Sequence, residues 1–157
     1  MFNPVFDFSD RPVQADWQSV YRSLSSYIIP CNVPSTAIIA FAPDKRIVLI
    51  QPKDTKSWSL PGGEIFWGES IKKNVRRKLA VQTGLELVKI KHTAGLHYTA
   101  DNSQARSFSI VVVIDVLGDI EIKDLLEVEE VRLFSLDNLP MAKPHTLNHE
   151  LYQAISC

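Results

Sequence analysis

The chain has 157 residues, 45% of them hydrophobic and 22% charged, and its 17 Lys and Arg against 18 Asp and Glu leave a formal net charge of −1. That describes one globular domain with a substantial core, and the balanced charge gives no general pull toward nucleic acid or an anionic membrane. No apolar run approaches the roughly 18 residues that span a bilayer, the opening MFNPVFDFSDRP has no basic region leading into an apolar stretch and so predicts no secretory signal, and Cys31 and Cys157 are too few to build a disulfide framework, so reduced thiols and a cytoplasmic location are expected.

Residues 1–12 contain Pro4 and Pro12 and read as an irregular arm. Its Phe2, Val5, Phe6 and Phe8 offer an apolar surface for the domain or for a second copy of the chain in a homodimer. Trp17, Val20, Tyr21, Leu24 and Ile28 recur at helical spacing, which predicts an amphipathic helix over 13–27. Pro30 and Pro34 end it. Residues 1–32 thus form an arm and helix ahead of a domain over 33–157. STAIIAFA (35–42) and RIVLIQ (46–51) are apolar and rich in β-branched residues, and the intervening APDK predicts a hairpin.

Trp58 leads into the turn Pro61-Gly62-Gly63, followed by a short strand over 64–67. A helix is expected from Glu69 to Gln82, with Ile71, Val75 and Leu79 as its buried stripe and Gly84 as its cap. Residues 87–99 read as a strand interrupted at Gly95, and 100–105 as a polar loop. FSIVVVIDVL (108–117) is the strongest strand pattern and is expected to be central. VRLF (131–134) reads as a strand, 135–140 as a helical turn, and 145–155 as a terminal helix. Helix, strands, helix, strands, helix is the order of a single α/β domain.

The segment LPGGEIFWGESIKKNVRRKLAVQTGL (60–85) carries the chemistry. Gly63, Glu69, Arg77, Leu79, Gly84 and Leu85 fall in register with the pattern G-x5-E-x7-R-E-U-x-E-E-x-G-U, where U is a bulky aliphatic residue. The segment therefore resembles the Nudix box, and the hairpin before it and EEVRLFSL (129–136) after it resemble that family's flanks over about residues 33–155. The resemblance implies an α/β/α sandwich around a mixed sheet. It also implies hydrolysis of a nucleoside diphosphate linked to another moiety, with Mg²⁺ or Mn²⁺ neutralising the diphosphate. Residue by residue, Gly63 matches a carbonyl ligand of the metal, Glu69 the scaffold glutamate, and Arg77 the arginine that orients carboxylates.

The three positions that should carry metal-binding glutamates hold Lys78, Val81 and Gln82. An ammonium repels a cation, valine offers no ligand, and glutamine offers one neutral oxygen. Three readings follow. In the first, the box has lost standard hydrolysis and binds a nucleotide or related phosphorylated ligand through Gly62, Gly63, Lys78 and Trp58. In the second, an active hydrolase uses metal and a non-standard set drawn from Gly63, Glu64, Glu69, Glu129 and Glu130. In the third, the domain is a structural or interaction module. Each candidate also has a plain structural role. Glu69 can stabilise the helix start and pair with Lys73 at i, i+4. Glu129 and Glu130 can be a solvated acidic turn, and Trp58 and Trp67 packing residues rather than base-stacking ones. Lys72, Lys73, Arg76, Arg77 and Lys78 can be a solvated basic helix face, or Arg77 and Lys78 can replace the metal and hold a phosphate directly by charge-assisted hydrogen bonds. His97 and Tyr98 read as strand residues that line the cleft or, more commonly for a histidine, serve a satisfied structural role. His145 and His149 are four apart but lack the adjacent glutamate of a zinc protease helix.

Overall fold

The computed structural model describes residues 34–100 and 106–140, with backbone alone for 97–100, 106 and 107. The expected N-terminal arm and helix, the loop at 101–105, and the terminal helix with His145 and His149 lie outside the described residues. So does any homodimer contact made by the arm.

Among the described residues six strands and one helix follow in chain order: β1 Pro34–Phe41, β2 Ile47–Pro52, β3 Gly62–Glu64, α1 Ile71–Gln82, β4 Glu86–Ala100, β5 Arg106–Leu117 and β6 Val128–Phe134. They form one mixed sheet in the order β4-β5-β1-β2-β6, with β3 also paired to β1. β1 runs parallel to β5, and the other pairs are antiparallel. β4 is continuous through Gly95, where the expected interruption is a shift of register against β5 rather than a break.

The expected hairpin forms, but its strands pair close to the turn, at Phe41 and Ile47. Beyond it they part, and residues 59–64 enter the gap. Ser59 exchanges backbone hydrogen bonds with Ile50 at 2.8 and 2.9 Å, Ile38 N–H donates to Pro61 O at 2.9 Å, and β3 pairs with Ser35, Thr36 and Ala37. The insertion satisfies backbone groups that the splayed strands would otherwise bury unpaired. It also carries the Gly62-Gly63 turn into the middle of the sheet. The short strand therefore starts at Gly62, two residues earlier than the sequence suggests.

Both faces of the sheet are apolar because side chains alternate along each strand. Ile38, Ala40, Val48, Val112 and Ile114 face α1 and pack with Ile71, Val75 and Leu79, each 2% exposed or less. Ala37, Ile39, Ile47, Leu49, Val111 and Val113 form a second cluster on the opposite face, joined by Trp58, Phe134, Leu136 and Leu139. Burial on both faces is why these strands read as continuous apolar runs. Among the described residues no helix is long and apolar enough to cross a membrane.

α1 begins two residues later than expected. Ser70 is its N-cap, with an extended backbone and a hydroxyl that accepts from Lys73 N–H at 3.2 Å. Serine is a favoured cap because its short side chain reaches the free N–H groups of the first turn. Glu69 is left outside the helix, and its carboxylate turns to Arg77 rather than to Lys73. At the other end, Thr83 and Gly84 N–H both donate to Leu79 O. The carbonyls of Val81 and Thr83 accept from backbone N–H groups of Lys123, Asp124 and Glu121. The segment after β5 thereby caps the helix.

Candidate functional site

Asn74, Lys78 and Gln82 sit at i, i+4 and i+8 and so share one face of α1. That face lies along β3, and each residue meets one residue of the strand. Asn74 Nδ2 donates to Glu64 O at 2.7 Å. Gln82 Nε2 donates to Gly62 O at 3.0 Å, and its Oε1 accepts from Gly62 N–H at 2.9 Å, so both amide atoms are engaged. Lys78 lies between them over Gly63: a Cβ built on that glycine would meet Nζ at 2.9 Å and Cε at 3.0 Å. Unlike Asn74 and Gln82, Lys78 makes no hydrogen bond or ion pair among the described residues.

The turn requires its glycines. Gly62 has φ +140, and a Cβ there would fall 2.1 Å from Thr36 O. No L side chain fits such an approach. Thr36 itself is 4% exposed, and its hydroxyl donates to Asn74 Oδ1 at 2.6 Å. Asn74 is fully buried and has every polar atom of its amide in use, through Thr36, Glu64 and Glu69.

Glu69 and Arg77 close the other end. Arg77 Nε donates to Glu69 Oε1 at 2.8 Å, and its Nη2 donates to Glu69 Oε2 at 3.0 Å and to Glu64 O at 3.0 Å. Glu69 Oε2 also accepts from Phe66 N–H at 2.9 Å and from Asn74 at 3.2 Å. The Arg77 guanidinium lies 3.8 Å from the Phe66 ring centroid, a stacked cation–π contact. Burial pushes the Glu69 carboxyl up. The hydrogen bonds from Arg77, Phe66 and Asn74 and the charge of Arg77 outweigh it and bring the carboxyl down to about 2. Arg77 is held protonated more firmly than usual, first by its hydrogen bond to Glu69.

The remaining candidates are dispersed. Glu64 is exposed, and its charge bears on Arg77. Glu129 is ion-paired with Lys56 and Glu130 with Arg132. Among the described residues no group of three or more His, Cys, Asp or Glu converges as a metal site would require. Trp58 packs edge-on against Phe134 at 4.9 Å, with Arg132 5.4 Å from its ring, in the cluster on the sheet face opposite α1. Trp67, 66% exposed, is the tryptophan that reaches solvent in the box loop. Lys73 and Arg76 are exposed on the helix. His97 and Tyr98 lie on β4, paired with Ser109 and Phe108.

Asn74, Thr36 and Phe66 belong to this network and were not singled out from the sequence. Asn74 left a trace there: it interrupts the stripe of Ile71 and Val75, and a polar residue on an apolar helix face must find partners. Thr36 and Phe66 left none.

A family model described as NUDIX domain matches residues 32–155. The chain is 34% identical over 101 residues to a protein named ADP-ribose pyrophosphatase from Methanocaldococcus jannaschii, covering 62% of this chain and 59% of that one. It thus spans about three fifths of the length of this curated relative. The fold resembles the MutT NUDIX hydrolase of Burkholderia pseudomallei with a TM-score of 0.69 and 21% identity, covering 82% of this chain and 100% of that one. It also resembles the NUDIX domain of Shewanella oneidensis NrtR crystallised with ADP ribose, with a TM-score of 0.65 and 20% identity, covering 85% of this chain and 96% of that one. The α/β/α sandwich around a mixed sheet is the shared architecture. With its box in register and a family model matched over most of its length, the chain belongs to the NUDIX family.

Proposed function

We propose that this domain binds a nucleoside diphosphate derivative, with ADP-ribose as the guiding example, and does not carry out the family's metal-dependent hydrolysis. The observation that carries the reading is Lys78 over Gly63, at the position where the box calls for a carboxylate. An ammonium with three donors on a half-buried stem suits a phosphate oxygen. The relative named ADP-ribose pyrophosphatase and the NUDIX domain crystallised with ADP ribose support that choice of ligand class. In this reading Lys78 and the Gly62-Gly63 backbone meet the diphosphate, Glu69 and Arg77 hold the loop in shape, and exposed Trp67 offers a ring for stacking on a base. Trp58, turned to the second core cluster, is left a packing role.

A hard divalent cation takes oxygen ligands, chiefly carboxylates. Here Lys78 presents a positive charge, Val81 presents nothing, the Gln82 oxygen is taken by Gly62 N–H, and both Glu69 oxygens accept from donors. At a separation of about 4 Å and an effective dielectric near 20, one unit charge repels another by roughly 4 kcal/mol. The donors present do not fit Mg²⁺ or Mn²⁺. A cytoplasmic location accompanies the reading and rests on sequence alone.

The second reading, an active hydrolase using Glu64, Glu69 and Glu129 or Glu130, is favoured by the 34% identity to a protein named as a pyrophosphatase. The two are separated by incubating the full chain with ADP-ribose, dinucleotides and nucleoside triphosphates, with Mg²⁺ or Mn²⁺ or with EDTA, and following phosphate-containing products. Binding of ADP-ribose without turnover is expected. Turnover that requires the cation and stops in EDTA would establish the second reading instead. No binding and no turnover with any of these compounds would leave the domain as an interaction module.

A further inference from the structure

We infer that the site takes the diphosphate as its metal-free anion, so that Mg²⁺ opposes ligand binding where the family's chemistry would have it assist. The inference rests on the reading of the chain as a diphosphate binder and adds the ionic form of the ligand.

It follows from how the face formed by Asn74, Lys78 and Gln82 is used. The outer two rungs are closed. Asn74 and Arg77 occupy the Glu64 carbonyl, and Gln82 occupies both backbone groups of Gly62. The Glu64 and Gly62 carbonyls, on either side of Gly63, thus accept from α1. The turn is thereby fastened to α1 by direct hydrogen bonds and needs no ion to bridge strand and helix. The middle rung, Lys78, is left with its ammonium over Gly63 and no ion-pair partner among the described residues. Positive charge is thus already installed where the pyrophosphate charge would be met. Arg77 is turned toward Glu69 and Glu64, which take its Nε and Nη2 donors.

A free diphosphate diester carries negative charge on each phosphate and makes charge-assisted hydrogen bonds with an ammonium. The same diphosphate chelating Mg²⁺ has that charge cancelled and sets a dication against Lys78. An active box would receive the dication on its own carboxylates, and this one has a lysine, a valine and a spent amide in their places. Glu64 is the carboxylate left exposed in the turn, and any pull it exerts on a phosphate-bound Mg²⁺ is opposed by the Lys78 ammonium over the neighbouring Gly63. The ligand exchange therefore runs one way: binding releases Mg²⁺ from the nucleotide, and added Mg²⁺ competes with the protein for the diphosphate.

The test is titration calorimetry of the full chain with ADP-ribose, in EDTA and in excess MgCl₂, with ionic strength matched by NaCl. Binding in EDTA that weakens severalfold in MgCl₂ is expected. Equal or tighter binding in MgCl₂ overturns the inference while leaving the chain a diphosphate binder. No binding in either buffer overturns both. Lys78→Ala, checked for folding by circular dichroism, should weaken binding in EDTA by about tenfold or more and lose the antagonism by Mg²⁺. Lys78→Arg, which keeps the charge, should retain both and serves where the alanine variant fails to fold. If Lys78→Ala binds as tightly as the parent with the antagonism intact, or if Lys78→Arg loses the antagonism, the inference falls.

Discussion

Replacing Glu69 by glutamine tests whether the box loop is held by charge. The carboxylate accepts four hydrogen bonds, two from Arg77 and one each from Phe66 N–H and Asn74. Its side chain is 11% exposed, so solvent screens the pair weakly. A glutamine oxygen can keep part of this set, but its NH₂ then faces the Arg77 donors. The folded-state carboxyl titrates at about 2 against an ordinary value of 4.5. The difference of about 2.5 at 1.36 kcal/mol each amounts to about 3 kcal/mol of stability at neutral pH. Because the folded value is depressed, this contribution is complete above about pH 4.5 and is lost as the pH falls toward 2. Glu69→Gln has nothing to titrate there. Urea unfolding of both proteins should therefore show a gap of about 3 kcal/mol at pH 7 that narrows by about 2 kcal/mol between about pH 5 and about pH 3. A gap below about 0.5 kcal/mol at pH 7, or one that does not change with pH, would refute the assignment of the loop's stability to this carboxylate.

Asn74→Ala removes a fully buried amide, strands Thr36 Oγ1 and leaves Glu64 O with Arg77 alone. It should cost about 2–4 kcal/mol in urea unfolding at neutral pH. Gly62→Ala forces a Cβ to 2.1 Å from Thr36 O at φ +140, so soluble, folded protein should fall sharply, read by yield and thermal melting. Gln82→Glu sets a carboxylate against Gly62 O where an amide now donates, and should destabilise by about 1–3 kcal/mol, with part of the loss recovered at acid pH as the carboxyl protonates. Lys78→Glu, Val81→Glu and Gln82→Glu combined rebuild the box and should bring Mg²⁺ binding detectable by calorimetry. Absence of such binding in the folded triple variant would count against the register assigned to the box.

Much of the fold was legible because it depends on pattern within one element. The apolar runs of β1, β2 and β5 marked strands buried on both faces, and the Ile71, Val75 and Leu79 stripe marked the helix that covers one of them. The spacing of Gly63, Glu69, Arg77 and Gly84 named the family before any contact was known. Glu69 shows where the pattern stops. Spacing along a helix suggested Lys73, four residues on. Ser70 takes the cap instead, the loop from Phe66 turns back, and the carboxylate reaches Arg77 from outside the helix.

By itself the sequence determined the architecture, the place of the turn, and the chemical change at Lys78, Val81 and Gln82, because side-chain identity and periodicity are local properties of the chain. Only the tertiary structure decided what those residues do, because β3 and α1 are separate elements whose approach no spacing encodes. The splayed hairpin admits β3 beside β1, and that docking spends Gln82 on Gly62, closes Asn74 on Glu64, and leaves the Lys78 ammonium over Gly63.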